Sequence, residues 1–346
     1  MITQTDEKKL VAHYHLPGLF EFYELYKVFL PLFREHRDWL YDWCDIASVY
    51  GAPQDCLWGG GRAAFGDADA RDVLALMSEY GISARLTFSN SLLNADHLSD
   101  KKCNALCALF GATHGGTAGV RELQTGTTPV ERGTTLTCEL QTGTAQTGTT
   151  LAENDVQNGV IVHSDLLAEY LISKYPDLYL VSSTTKVLTD FEDLRAELNR
   201  AEFNYVVPDF RLNKEFAKLA ALSAAQKEKV EFLCNECCDF NCKARKECYE
   251  NVSRKNLGID VADHKCASPD SAGGYRFSRA MKNPAFIGIG DIQKTYLPMG
   301  FSNFKIEGRG LGSAMVLEFL LYYMTKPEHQ LEVRESIYLD SMVDLF

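Results

Sequence analysis

The sequence predicts an α/β fold, a (β/α)8 TIM-like barrel with a cysteine-rich insertion between its seventh and eighth strands. Three observations carry this. Short β-rich runs alternate with longer amphipathic ones along nearly all of the 346 residues, which implies a parallel sheet covered by helices. The β-rich runs number eight, the count that closes such a barrel. The first run ends in His15-Leu16-Pro17-Gly18, which is not the glycine-rich phosphate turn of a doubly wound sheet.

In chain order the predicted strands are 11–15, 46–50, 82–88, 159–163, 178–183, 204–208, 230–233 and 302–306. Each is short, rich in β-branched and aromatic residues, and bounded by turn formers. The helical patterns between them cover 19–42, 67–80, 98–110, 165–175, 189–201 and 213–223, with a last one at 312–325. The whole chain, 1–346, reads as one barrel domain.

Two segments break the rhythm. Residues 111–158 are rich in Thr and Gly and repeat ELQTGT at 122–127 and 139–144. Low apolar content and repetition mark a low-complexity insertion, tolerated on the N-terminal face of the barrel and away from the usual site. Residues 234–301 follow strand seven and emerge at the C-terminal face, where barrel enzymes build their sites. A connection this long inside a compact domain is usually functional.

Charge and hydropathy narrow the function classes. A net charge of -12 argues against sequence-blind binding to nucleic acid or to anionic membranes. MITQTDEKKL carries charges where a secretion signal needs an apolar run, and Leu311 to Met324 is too short to span a bilayer. The expectation is a cytoplasmic protein. Eleven cysteines in a reducing compartment are then read as metal-binding or redox-active rather than as disulfides.

Five of them, Cys234, Cys237, Cys238, Cys242 and Cys248, fall within fifteen residues, and Cys266 follows. Thiolates are the ligands that iron–sulfur clusters and soft metals select. Cys238, Cys242, Cys248 and Cys266 are the expected ligand set, with Cys234 and Cys237 in reserve because adjacent side chains diverge. An iron–sulfur cluster, structural zinc and redox-switching thiols all remain open on these residues. Against zinc, the spacing lacks paired C-x2-C knuckles. Cys56 is a distant candidate; Cys44, Cys103 and Cys107 are expected to pack in the core.

At the end of strand eight, alternation puts Lys305, Glu307 and Arg309 on one side, toward the lumen and mouth. Lys305 and Glu307 would neutralise each other, while the guanidinium fork of Arg309 suits an anionic substrate group. His163 ends strand four, well placed for proton transfer, and Asp165 is expected to cap the helix that follows. Asp209 and Asn90 also project at the mouth, with turn or capping roles as the alternative. No HExxH helix and no GxSxG elbow is present.

The run Phe304 to Gly310, FKIEGRG, resembles the FKIEGR signature of the collagenase-like U32 peptidases. The stretch from Ser48 to Arg62, a strand followed by WGGGR, is similar to the second-strand segment of that family. The resemblance implies a barrel and, in several members, an oxygen-sensitive [4Fe-4S] cluster held by four cysteines. Such members hydroxylate ribosomal RNA with prephenate or act in oxygen-independent ubiquinone hydroxylation; others carry the peptidase name. The cysteine spacing here departs from the usual pattern. The implied function is a redox or hydroxyl-transfer modification of a small or RNA-borne substrate, with a partner subunit or electron donor. A peptidase acting on peptides and a non-catalytic scaffold or subunit with structural zinc are the alternatives.

Overall fold

In the computed structural model, described for residues 10–61, 66–112, 156–266 and 274–342, eight parallel strands form a nearly closed barrel. They are β1 Ala12–Pro17, β2 Cys44–Gly51, β3 Ser83–Phe88, β4 Gly159–Val162, β5 Tyr179–Ser182, β6 Phe203–Val206, β7 Glu231–Leu233 and β8 Asn303–Lys305. Their order is β6-β5-β4-β3-β2-β1-β8-β7, and a parallel bridge from Val206 to Val230 joins the two ends. All eight strands expected from the sequence are present. The predicted insertion at 111–158 lies almost entirely outside the described residues.

Both β3 and β4 are buried at every position, and β4, GVIV, reads as the continuous apolar run of a strand covered on both faces. The outer helices start on side-chain caps. Asp69, Asp100, Ser164 and Asp190 each accept a hydrogen bond from a backbone N–H in the first turn of the helix that follows. Asp165 is therefore the first helical residue and not the cap, and it pairs instead with Lys186 and Arg200 at 3.1 and 2.9 Å.

Three element expectations need correction. The first helix covers Tyr23–Glu35, not 19–42, so Cys44 opens β2, its thiol donating to the carbonyl of Tyr41. The 213–223 pattern resolves into a short helix, Phe216–Ala220, and a second, Ala224–Lys229, set off by a Ser223–Gln226 capping box. A last helix, Gln330–Met342, packs on the first; its apolar residues are too sparse to have flagged it. No helix of the described residues is long and apolar enough to cross a membrane.

The lower lumen is filled with charge. Glu231 accepts from Arg85 at 2.5 Å and from Lys305 at 2.9 Å, all three nearly or wholly buried. His15 bonds Ser48 at 2.8 Å and Asn303 at 3.3 Å. Lys305 is thus neutralised by Glu231 and not by Glu307 as its sequence neighbourhood suggested.

Candidate functional site

The connection from Leu233 to Asn303 folds over the C-terminal mouth of the barrel. Its one long helix, Arg245–Asn256, is polar on most sides and buries Arg245, Tyr249 and Ser253, spaced four apart, on the barrel side. Ser253 Oγ accepts from the backbone of Ser91 just after β3, and Asn256 donates to the carbonyls of Cys56 and Leu57 after β2. The glycine turn of WGGGR makes this docking possible. Gly60 and Gly61 both have positive φ, and a Cβ on Gly61 would sit 2.9 Å from Asn256.

Beneath this cover lie two adjoining cavities. One, of about 240 Å3, is the mouth of the barrel proper, floored by Tyr50, Ile161, Val207 and Leu233. The other, of about 620 Å3, is lined by Cys237, Cys238, Cys242, Cys248 and Cys266. Glu236, Tyr249 and Glu307 belong to both and form the shared wall. The four cysteines expected as ligands therefore face one space, together with one of the two reserves. Cys234 does not join them: it is fully buried in the core, its thiol against the carbonyl of Phe232.

The loop carrying these cysteines is held by polar anchors. The carbonyl of Cys242 accepts from Arg211 at 2.9 Å, that of Cys238 from Asn283 at 2.9 Å, and the Cys238 N–H donates to Glu236 at 2.9 Å. Such outer contacts orient thiolate ligands. Burial pushes the Cys238 thiol up to about 12, with the nearby Arg245 acting in the opposite direction; a bound metal deprotonates a coordinating thiol outright. Arg245, Arg276 and Arg279 supply positive charge around the cavity, a fit for a centre that carries four thiolates.

A tetrahedral zinc with bonds of about 2.3 Å needs its sulfurs about 3.8 Å apart. Among the described residues no three cysteine sulfurs lie within 4.8 Å of one another; the group that does is Glu236, Cys237 and Glu307.

The shared wall has its own proton arrangement. Burial raises Glu236, but its ion pair with Arg245 and the Cys238 N–H outweigh that and hold it down to about 2. The carboxyl of Glu307 lies beside it: ligand atoms of Glu236, Cys237 and Glu307 are all within 4.8 Å of one another. Cys237 Sγ contacts both carboxyls, at 3.6 and 3.5 Å.

Arg309 lines the barrel-mouth cavity, nine-tenths buried. Its Nε donates to Glu21 at 2.7 Å, while Nη1 has no hydrogen-bond partner. Thr87 Oγ1, also at this cavity, likewise has none. His163 stands one contact back: its Nδ1 bonds Thr185 at 2.8 Å, and Thr185 lines the cavity. Burial, then Lys186 and Lys246, lower His163 to about 4, so its imidazole is neutral near pH 7. Asp209 and Asn90 serve locally, Asp209 capping the turn Phe210–Leu212 and Asn90 bonding Leu57 and Leu92.

Glu236 and Arg245 were not singled out from the sequence. The signal was an acid and a base inside a run of cysteines, CNECCDFNCKAR, where surface charges and site charges look alike.

No protein-family model matches the sequence, and no curated protein matches it. Among solved structures the U32 peptidase Mk0906 is similar, at 13% identity with a TM-score of 0.47, over 89% of this chain and 97% of that one. At that level the likeness decides nothing about chemistry.

Proposed function

We propose that this protein is an iron–sulfur barrel enzyme that holds a [4Fe-4S] cluster on Cys238, Cys242, Cys248 and Cys266. It would act on a small or RNA-borne substrate in the adjoining cavity. The observation that carries this is the convergence of those four cysteines on one cavity that shares a wall with the barrel mouth. The cluster would supply one-electron redox chemistry beside the substrate. The rest falls to the chain itself. Arg309, fixed by Glu21, offers its free Nη1 to a carboxylate or phosphate. Glu307, on the wall shared by the two cavities, is placed to exchange a proton with a substrate oxygen. Neutral His163 holds the Thr185 hydroxyl in place at the cavity wall.

A peptidase finds less support. Cys237, the exposed thiol nearest the substrate cavity, contacts two carboxyls rather than an activating imidazole.

Electron paramagnetic resonance of anaerobically prepared, dithionite-reduced protein tests the proposal. A cluster signal is expected in the wild type and in Cys234→Ser, and its loss in Cys238→Ser, Cys242→Ser, Cys248→Ser and Cys266→Ser. An unchanged signal in any of those four removes that residue from the set, and no signal in the wild type sinks the reading.

A further inference from the structure

A second thiol site lies apart from the cysteine cavity. Cys56, in the loop after β2, and Cys103, in the first turn of helix Lys101–Gly111, bring their sulfurs to 3.2 Å across 47 residues of sequence. Neither lines either cavity. Both are buried, at 1% and 0% exposure. Each backbone is fixed: the Cys103 N–H bonds the capping Asp100 at 2.8 Å, and the Cys56 carbonyl receives Asn256 at 3.3 Å.

We propose that Cys56 and Cys103 are a modification site that closes to a reversible disulfide, with a small hydroperoxide as oxidant. A disulfide bond needs sulfurs about 2.05 Å apart, so each must move by only about 0.6 Å. The hydrogen bond from Cys103 and the N–H groups of Trp58 and Gly59 draw the Cys56 thiol below its ordinary range, while the same contact and burial push Cys103 up. In the proposal Cys56 is the attacking sulfur and Cys103 the one that resolves it.

The chemistry balances in two steps. The Cys56 sulfur attacks one peroxide oxygen and the O–O bond breaks. The other oxygen leaves with the thiol proton, as alcohol or water, and Cys56 becomes a sulfenic acid. The Cys103 sulfur then attacks that sulfur, the S–O bond breaks, and hydroxide leaves with the Cys103 proton as water. Two thiols lose two electrons in all, and one hydroperoxide is reduced. Burial excludes bulky disulfides and protein oxidants, which is why the oxidant proposed is a small hydroperoxide.

The disulfide would tie the loop after β2 to the helix after β3, beside the carbonyls of Cys56 and Leu57 that anchor Asn256. The thiol pair would thereby report the oxidant to the covering helix without using any of the cavity cysteines.

The full chain, treated with hydrogen peroxide, alkylated under denaturing conditions and digested, tests this by mass spectrometry. The expected result is loss of both free thiols into a linked Cys56–Cys103 peptide that dithiothreitol releases. The same peptide is expected in Cys238→Ser, where the cluster site is disabled, so this outcome does not depend on the iron–sulfur reading. In Cys103→Ala and Cys103→Ser, Cys56 should remain as a sulfenic acid that dimedone traps. The proposal is overturned if Cys56 and Cys103 stay alkylatable while exposed Cys237 and Cys266 oxidise. It is equally overturned if Cys103 joins Cys107, or if neither variant yields a dimedone adduct at Cys56.

Discussion

The lower lumen and the mouth of this barrel are both crowded with ionisable groups, but they differ in how those groups are satisfied. In the lumen, Arg85 and Lys305 both pair with Glu231, and His15 is bonded through both ring nitrogens. At the mouth, Arg309 keeps a free Nη1 and Thr87 a free hydroxyl, and five cysteines line the adjoining cavity. Burying a polar group without a partner costs free energy, so groups left open at the mouth point to a ligand that completes them. The same residue types thus mean structure in one place and chemistry a few ångströms away.

Cutting the lumen network should do the most damage to the fold. Glu231→Gln leaves Arg85 and Lys305 without their carboxylate, and urea unfolding should show a loss of about 3–5 kcal/mol. A loss below 1 kcal/mol would mean that the lumen is no more settled than the mouth. Cys238→Ser should show the reverse: far-ultraviolet circular dichroism unchanged while most absorbance near 400 nm, typical of thiolate-bound iron–sulfur centres, disappears. Unfolding of the whole barrel in that variant would make the centre structural and favour the scaffold alternative.

Arg309→Met tests the open guanidinium. Citrate and inorganic phosphate should raise the melting temperature of the wild type, and the variant should bind them roughly tenfold more weakly. Equal shifts in both proteins would place anion binding elsewhere. The smallest effect is expected at His163. Its folded pKa of about 4 lies below its ordinary value, so the unfolded chain takes up its proton first. Its contribution is complete above about pH 6.5 and is lost as the pH falls toward 4. Denaturant midpoints across that window should fall less steeply in His163→Asn than in the wild type, and parallel curves would remove the assignment.

The sequence foretold the barrel closely because short, buried β-rich runs, such as GVIV in β4, recur between helical patterns. It could not foretell which charges meet. Lys305 and Glu307 are two residues apart on one strand end, yet Lys305 reaches across to Glu231 on β7 and Glu307 turns to Glu236. Partner choice among charges depends on neighbouring strands, which local periodicity does not encode. Convergence of the cysteines was legible from their density. The exclusion of Cys234 was less so, because the residue that ends a strand goes into the core or out to the mouth with the register, and one position decides it. The contact of Cys56 with Cys103 joins two separate βα units and left no local signature.

The most direct test is iron and acid-labile sulfide analysis of the full chain prepared without oxygen. The account predicts about four of each per chain, with the thiolates of the mouth as ligands. One zinc per chain with no sulfide would contradict it.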